Sequence, residues 1–392
     1  MRQRVLVMKT LTSQQLDGAY SGWAYYMGRA LDIAANVFST SPNPRVGCVI
    51  VKGNEIVGEG WHLGPGQNHA EIEALDRSGG KAKSAIAFVT MEPCSHIGRT
   101  GPCSKALIEA GVESVVIASV DPDERVCGQG IVDLEDAGIN VFHLLSFDEL
   151  ARDINPGYFK RHKSRMPFVR LKLAMSIDGR TGLANGKSKW ITSSEARSDV
   201  QKYRARSNAI ITGINTVLED DPALTLRIDD LKLNKSQLEN NRIAFLKRPL
   251  RVIVDSKKRT PDTSKIINSE GGVKIFTNEM EYKGDEFPQN VELVQTASAQ
   301  GRVDLRTMLE SLSANFGCDE VLVEAGPTLS TSFIKEDLVD ELVLYIAPKI
   351  LGSDARPLTE ITGLIEMNEC LQFSVKEFDK VGADIKVVLT IN

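Results

Sequence analysis

His69-Ala70-Glu71, Pro93-Cys94 and Cys103 supply one imidazole, two thiols and a carboxylate, types that suit a zinc site. His69, Cys94 and Cys103 as ligands would leave the fourth tetrahedral position for a water, whose pKa zinc lowers from about 15.7 to roughly 7. Glu71 would not ligate. Attack on an amidine-like ring carbon needs one proton delivered to the ring nitrogen and another to departing ammonia, and a carboxyl beside the metal can carry both. The chemistry implied is hydrolytic deamination. Each part alone has a plainer reading, because His-x-Glu is common on helix surfaces and a lone Cys is most often a small buried apolar residue. The combination is far less common.

Positions i and i+2 do not share a helix face, so His69 is expected where the chain is still turning into a helix over Ala70 to Asp76. Pro102 suits the first turn of a second helix, Cys103 to Ala110, which Gly111 would end. The positive end of that helix dipole favours a thiolate at Cys103. Upstream, Ala19, Trp23, Tyr26, Ala30, Ile33, Ala34 and Val37 recur at helical spacing between Ala19 and Phe38. Ser41-Pro-Asn-Pro fixes a turn before an apolar strand, Val46 to Val51, which Lys52-Gly-Asn-Glu folds back into Ile56. Asn43, between two prolines, is either a turn-former or a group placed to read a ring edge. His62 and His96 lie near the site, although a three-ligand metal needs neither. Cys48 reads as structural and Cys127 as a bystander. Strand patterns at Ala85 to Thr90, Ser114 to Ala118 and Asn140 to Phe142 alternate with the helices and imply a layered α/β sheet.

The chain has 392 residues, 42% hydrophobic and 25% charged, which is ordinary soluble composition with room for two cores. A net charge of -5 and a pI near 5.7 argue against a polyanion-binding surface and for a small substrate. Six Cys without close repeated spacing, no signal-peptide pattern and no apolar run of membrane-spanning length point to a reducing cytoplasm. Met8 is an alternative start to Met1. The basic, turn-rich stretch Asn155 to Pro167 is the boundary candidate, with the join near Arg165, so that residues 1–165 and 166–392 form two domains.

In the second half, Phe168 to Ser176 alternates like a strand, and Thr192-Ser-Ser-Glu195 reads as a capping box opening a helix to about Ser207. Further strand patterns at Ala209 to Thr212, Leu250 to Asp255, Lys274 to Thr277, Glu320 to Glu324, Glu341 to Ile346 and Lys386 to Ile391 make a second α/β sheet. The polar Asp229 to Arg248 insertion reads as a surface excursion without chemistry. No Gly-x-Gly-x-x-Gly follows a strand, which disfavours the dinucleotide fold with that fingerprint. A strand ending at Glu324, the turn Ala325-Gly326-Pro327-Thr328 and a helix from Leu329 could instead hold a pyrophosphate at the helix N-terminus.

The general deaminase pattern has two residues between its cysteines, whereas Ser95 to Pro102 separate Cys94 from Cys103 here. That spacer, with Ser41-Pro-Asn-Pro-Arg-Val-Gly47, resembles the pyrimidine deaminase half of the bifunctional deaminase/reductase family of riboflavin biosynthesis. The Asp121 to Gly130 segment is similar to a loop of that family, with Asp123-Glu124 where the family often has Asn-Pro. Leu171 to Thr181, Ser188 to Thr192, Thr216 to Arg227, Val254 to Ser256, Glu324 to Thr328 and Ile346 to Gly352 resemble its reductase half.

This resemblance implies a cytidine-deaminase-like three-layer α/β/α domain followed by a dihydrofolate-reductase-like α/β domain, with zinc and NADPH as cofactors. It makes Asn43 a substrate residue. It puts Ala174, Trp190, Thr216, Asp220, Ser256 and Gly326, Pro327, Thr328, Leu329, Ser330, Thr331 and Ser332 on the cofactor. Ser188, Arg204, Leu224, Arg227 and Glu324 fall on the substrate, the two arginines suiting a phosphate because a planar guanidinium donates in bidentate fashion. Without the family, each arginine would be read as a helix-surface ion pair. Lys172 and Asp220 are the candidates for proton movement on the sugar, and Lys257, Lys258 and Arg259 could balance a 2'-phosphate. The family implies deamination of a diaminopyrimidinone ribosyl phosphate and then reduction of its ribosyl chain. Two other readings stay open. One is a nucleic-acid or free-nucleotide zinc deaminase fused to an unrelated reductase, and the other is a non-catalytic nucleotide-binding regulator. Acidic pI counts against a nucleic-acid substrate, and the intact His69, Glu71, Cys94 and Cys103 against the regulator. A homodimer is expected as the commonest soluble assembly.

Overall fold

The computed structural model describes residues 8–11, 20, 22–96, 101–279, 287–296, 298–299 and 301–391. Ala19, the spacer residues 97–100 and the region before Met8 lie outside them. The chain divides into two compact units, Met1–Ser164 with Asn234–Leu246, and Arg165–Leu233 with Lys247–Asn392.

The first unit is built on a six-stranded sheet of β1 (Lys9–Leu11), β2 (Gly47–Lys52), β3 (Glu55–Trp61), β4 (Ile86–Val89), β5 (Ser114–Ile117) and β6 (Asn140–Leu144), in the order β1-β6-β5-β4-β2-β3. From β1 to β4 the neighbours are parallel, and β2 runs antiparallel to both β4 and β3. The apolar run in β2 is explained by burial on both faces. Cys48 and Ile50 pack with the helices Ala70–Arg77, Cys103–Ala110 and Gln129–Asp136, while Val49 and Val51 pack with the helix Trp23–Ala35. The result is three layers, α/β/α. Gly58 and Gly60 in β3 let the helix Ala70–Arg77 lie close, since a Cβ on either would come within 2.2 Å of the carbonyl oxygen of Ala74 or Ala70.

Two expectations change in this unit. Most of the stretch read as turn-rich, Asn155 to Pro167, is the helix Pro156–Ser164. It is anchored because the buried Asn155 side chain accepts from the Arg45 N–H at 2.7 Å and donates to the Arg45 carbonyl at 2.9 Å, while buried Tyr158 donates to Asp121 at 2.9 Å. Its basic residues, Lys160 to Lys163, are consecutive and run round its last turn. Likewise the polar insertion is only in part an excursion: Lys235–Asn240 and Arg242–Leu246 are helices of the first unit. Buried Asn241 donates to the Asn36 carbonyl at 2.9 Å and accepts from Phe38 N–H at 2.7 Å.

The second unit contains β7 (Phe168–Ser176), β8 (Arg180–Gly182), β9 (Ala209–Gly213), β10 (Leu250–Val254), β11 (Val273–Thr277), β12 (Val291–Gln295), β13 (Ser298–Ala299), β14 (Arg302–Val303), β15 (Glu320–Glu324), β16 (Glu341–Ala347), β17 (Arg356–Pro357), β18 (Phe373–Val381) and β19 (Asp384–Ile391). Nine of them make one sheet in the order β12-β11-β10-β9-β15-β7-β16-β19-β18. It is parallel from β12 to β16 and antiparallel over β16, β19 and β18. Leu171, Ile211, Val252 and Val323 pack on one face with Met308, Leu309 and Phe333 from the helices Leu305–Ala314 and Pro327–Lys335. Val343, Tyr345 and Val388 pack on Ala196 and Val200 of the helix Ser194–Arg206. That helix starts one residue later than the expected box: Ser193 is the N-cap and its hydroxyl accepts from Ala196 N–H, because Asp384 holds the Ser193 N–H and hydroxyl at 2.7 and 2.6 Å.

Candidate active sites

In the first unit, His69 is the N-cap of the helix Ala70–Arg77, with an extended backbone, and Cys103 is the first residue of the helix Cys103–Ala110, which ends at left-handed Gly111. The ligating atoms of His69, Cys94 and Cys103 all lie within 4.8 Å of one another. His69 Nδ1 is 3.5 Å from Cys94 Sγ and 3.3 Å from Cys103 Sγ. A tetrahedral zinc with Zn–S of about 2.3 Å and Zn–N of about 2.05 Å would hold S and N roughly 3.6 Å apart. The donor set therefore fits zinc in both chemistry and spacing. The Cys103 thiol and His69 hydrogen bonds push Cys94 down to about 4, and Cys103, the donor to Cys94 and buried, is raised. Protons held within such a cluster are released when a metal binds.

Glu71 is buried beside these groups, and burial followed by the nearby Cys94 charge pushes it up to about 7. Glu71, His69, Cys94 and Asn43 line one cavity of about 400 Å³. His62 orients Asn43. Its Nδ1 donates to the Asn68 carbonyl at 2.9 Å, and burial pushes its pKa down to about 4, so its Nε2 is an acceptor for Asn43 Nδ2 at 3.0 Å. That leaves the Asn43 carbonyl oxygen for a ligand. His96 also lines the cavity, whereas Cys48 and exposed Cys127 do not.

Residue types and spacing give no sign of two further carboxylates on this cavity. Buried Glu92 accepts from the N–H groups of Asp121, Gly128, Gly130 and Ile131 at 3.3, 3.0, 3.0 and 3.4 Å, which fastens the loop after β5 beside Cys94. Asp121 accepts from Tyr158 and from the Asp123 N–H, and burial pushes it up to about 6. The partners of Glu92, and Tyr158 as partner of Asp121, are 29 or more positions away in sequence, and only the Met91-Glu92-Pro93-Cys94 neighbourhood could have drawn attention to Glu92.

In the second unit, a cavity of about 1540 Å³ is lined by Ala174, Trp190, Thr216, Asp220, Ser256, Gly326, Pro327, Thr328, Leu329 and Ser332, and also by Lys172, Ser188, Arg204, Leu224, Arg227 and Glu324. Ser330 and Thr331 are not on its lining. They are buried in the helix Pro327–Lys335, Ser330 donating to the Ala325 carbonyl and Thr331 accepting from Glu360 N–H. At the start of this helix the Gly326 N–H is held by Thr216 at 3.2 Å, and with Pro327 at the first position the N–H groups of Thr328 and Leu329 are the ones a helix N-terminus can offer to an anion. Lys257 and Arg259 line the cavity with Ser256, and Lys258 does not. Leu224 is buried with φ 50°, an uncommon backbone for such a residue.

Lys172 and Glu324 are register partners on the adjacent strands β7 and β15. Arg204 reaches Glu324 with Nε at 2.6 Å and Nη2 at 3.1 Å, and its Nη1 donates to the Thr225 carbonyl at 2.8 Å. Burial pushes Lys172 down; it would push Glu324 up, but Arg204 and Lys172 outweigh it and hold Glu324 low. The two arginines read as a phosphate pair are thus placed differently. Arg204 has its donors committed to Glu324 and Thr225, whereas half-exposed Arg227 pairs with Asp230 at 2.5 Å. Asp220 accepts from Ser188 at 3.2 Å.

The cytidine and deoxycytidylate deaminase zinc-binding region matches residues 22–119, and the RibD C-terminal domain matches residues 167–387. The chain is 45% identical to the riboflavin biosynthesis protein RibD of Escherichia coli over 92% of its own length and 97% of the relative's. With the protein of that name from Haemophilus influenzae it shares 44% identity over 93% of this chain and 96% of the other. Among solved structures, Acinetobacter baumannii RibD superposes with a TM-score of 0.83 at 40% identity, covering 94% of this chain and 98% of that one. A diaminohydroxyphosphoribosylaminopyrimidine deaminase/5-amino-6-(5-phosphoribosylamino)uracil reductase from Thermotoga maritima gives 0.81 at 28% identity, covering 95% and 99%.

Proposed function

The chain belongs to the RibD family and is a bifunctional deaminase and reductase of riboflavin biosynthesis that uses zinc and NADPH; from that premise we propose that its first unit deaminates, and its second reduces, one pyrimidine ribosyl phosphate. The observation that carries the reading is the His69, Cys94 and Cys103 cluster opening with buried Glu71 into the cavity that Asn43 lines. Similarity to the Thermotoga maritima protein supports the substrate class.

The first reaction exchanges the 2-amino group of 2,5-diamino-6-(5-phosphoribosylamino)pyrimidin-4-one for oxygen, taking up water and releasing ammonia. Zinc, when bound by His69, Cys94 and Cys103, supplies an activated water. Glu71 would take one proton of that water and pass it to the ring nitrogen as the C–O bond forms, then take the proton of the new hydroxyl and pass it to the amino group, so that the C–N bond breaks, ammonia leaves and the carbonyl remains. A carboxyl at about 7 can do both near neutral pH. Asn43, oriented by His62, holds the ring edge. In the second reaction NADPH supplies a hydride to C1' of the opened ribosyl imine, and one proton completes the ribityl amine. Lys172, whose pKa desolvation pushes down, is the group we assign to proton movement on the sugar, with Asp220 positioning Ser188. The chain works on a small molecule in the cytoplasm, without nucleic acid, as a dimer in this reading; among the described residues no helix is long and apolar enough to cross a membrane.

Supplying the diaminopyrimidinone ribosyl phosphate with and without NADPH, and following ammonia and reduced-nicotinamide absorbance, tests the assignment. Ammonia is expected without NADPH, and NADPH consumption only once deaminated product is present. NADPH oxidation with no ammonia released would reverse the proposed order.

A further inference from the structure

The deaminase cavity has named groups for the ring, the water and the protons, but a ribosyl phosphate also brings a monoester phosphate of about -1.5 to -2 charges. On a chain of net charge -5 such a dianion needs a local cation. The cavity lining carries Arg125 and Arg161, the only arginine or lysine side chains on it among the described residues. Each is held in place by a different element.

Arg161 projects from the helix Pro156–Ser164, and its Nη2 donates to the Pro42 carbonyl at 3.1 Å, one residue from Asn43. The same nitrogen faces His162 Nε2 at 3.4 Å. Arg125 sits on the loop where this chain has Asp123-Glu124. Its Nε lies 3.0 Å from both Asp123 carboxylate oxygens and its Nη2 2.5 Å from one, an in-loop pair that fixes the guanidinium plane and leaves Nη1 for another acceptor. A planar guanidinium held in one orientation is the geometry that phosphate recognition uses.

We propose that Arg161 and Arg125 bind the phosphate of the ribosyl phosphate in the deaminase cavity, so that the first unit has its own phosphate site in addition to the one assigned to the reductase. This rests on the deaminase reading of that unit. The substrate is held at both ends, the ring by Asn43 and the phosphate by Arg161, which is itself fixed on the carbonyl of the residue before Asn43.

The test is ammonia release by the full-length zinc enzyme, as wild type, Arg161→Ala, Arg161→Lys and Arg125→Ala, from the phosphorylated diaminopyrimidinone riboside and from the same compound without its phosphate. NADPH oxidation on pre-deaminated substrate and zinc content serve as folding controls. Wild type is expected to favour the phosphorylated compound, and each alanine variant to lose about ten- to a hundred-fold in kcat/KM on it, the range of a lost hydrogen bond to a charged group. On the dephosphorylated compound the alanine variants should match wild type, while Arg161→Lys keeps part of the preference. Both alanine variants retaining the wild-type preference would overturn the site, as would a wild type indifferent to the phosphate. Wild type releasing ammonia from neither compound would instead sink the deaminase reading, and this site with it.

Discussion

In the proposed mechanism Glu71 is the residue on which metal binding and chemistry come apart. Replacing it with Gln keeps the shape and the ligand cluster but removes the proton carrier, so zinc content should stay at wild-type level while ammonia release falls by about two decades or more. Reduction of pre-deaminated substrate should be nearly unchanged. Asp121 offers a pH test. Its pKa rises from 3.8 to about 6 in the folded chain, with burial the main cause. The folded state therefore binds a proton between those values that the unfolded state has already lost. The stabilisation is fully present below pH 3.8 and is lost as pH rises through 6, about 3 kcal/mol in all. Asp121→Asn can still accept from Tyr158 and the Asp123 N–H, so denaturant midpoints of the variant should gain on wild type across that window and run parallel above it. A constant difference at every pH would show that Asp121 carries no such shift.

At the scale of strands and helices, three neighbouring strands share one buried ionic cluster. Arg170 of β7 meets Glu320 of β15 and Glu341 of β16, with its side chain only 3% exposed. Arg170→Met would leave two buried carboxylates without that partner and should cost about 3 to 5 kcal/mol, read as a lower melting temperature, although Arg170 lies on neither cavity lining. An unchanged melting temperature would mean that the cluster relaxes into water. Elements with a repeating apolar face were legible in the sequence: Cys103–Ala110, between Pro102 and Gly111, and Phe168–Ser176, with its alternating residues, have the same bounds in the fold. The strand β18 has no such face. It is the edge of the sheet and exposed along nearly its whole length, so burial imprints no pattern on it. The helix Pro156–Ser164 hid for a related reason, since Asn155 and Tyr158 hold it through polar bonds to Arg45 and Asp121 rather than through an apolar stripe. Site residues followed the same division. His69, Cys94 and Cys103 could be picked out by type and spacing, whereas the bond from Asn43 to His62 exists only once β3 has brought the two together.

For the molecule as a whole, each unit has its own sheet, core and cavity. Chelating the zinc should therefore abolish ammonia release, zinc should restore it, and NADPH oxidation on deaminated substrate should persist throughout. Loss of both activities on chelation would mean that the second unit depends on the metal. The separation of chemistry is not matched by a separation along the chain. Asn234–Leu246 leaves the second unit, contributes Asn241 to the first and returns, so the chain passes between units at 164/165, 233/234 and 246/247. A gene cut once at residue 165 would yield a deaminase missing the piece that holds Asn36 and Phe38, and a reductase carrying two helices with no surface to cover. Unequal crossing-over between this gene and a relative that lacks the insertion would carry the same penalty, which ties the inheritance of one catalytic half to that of the other.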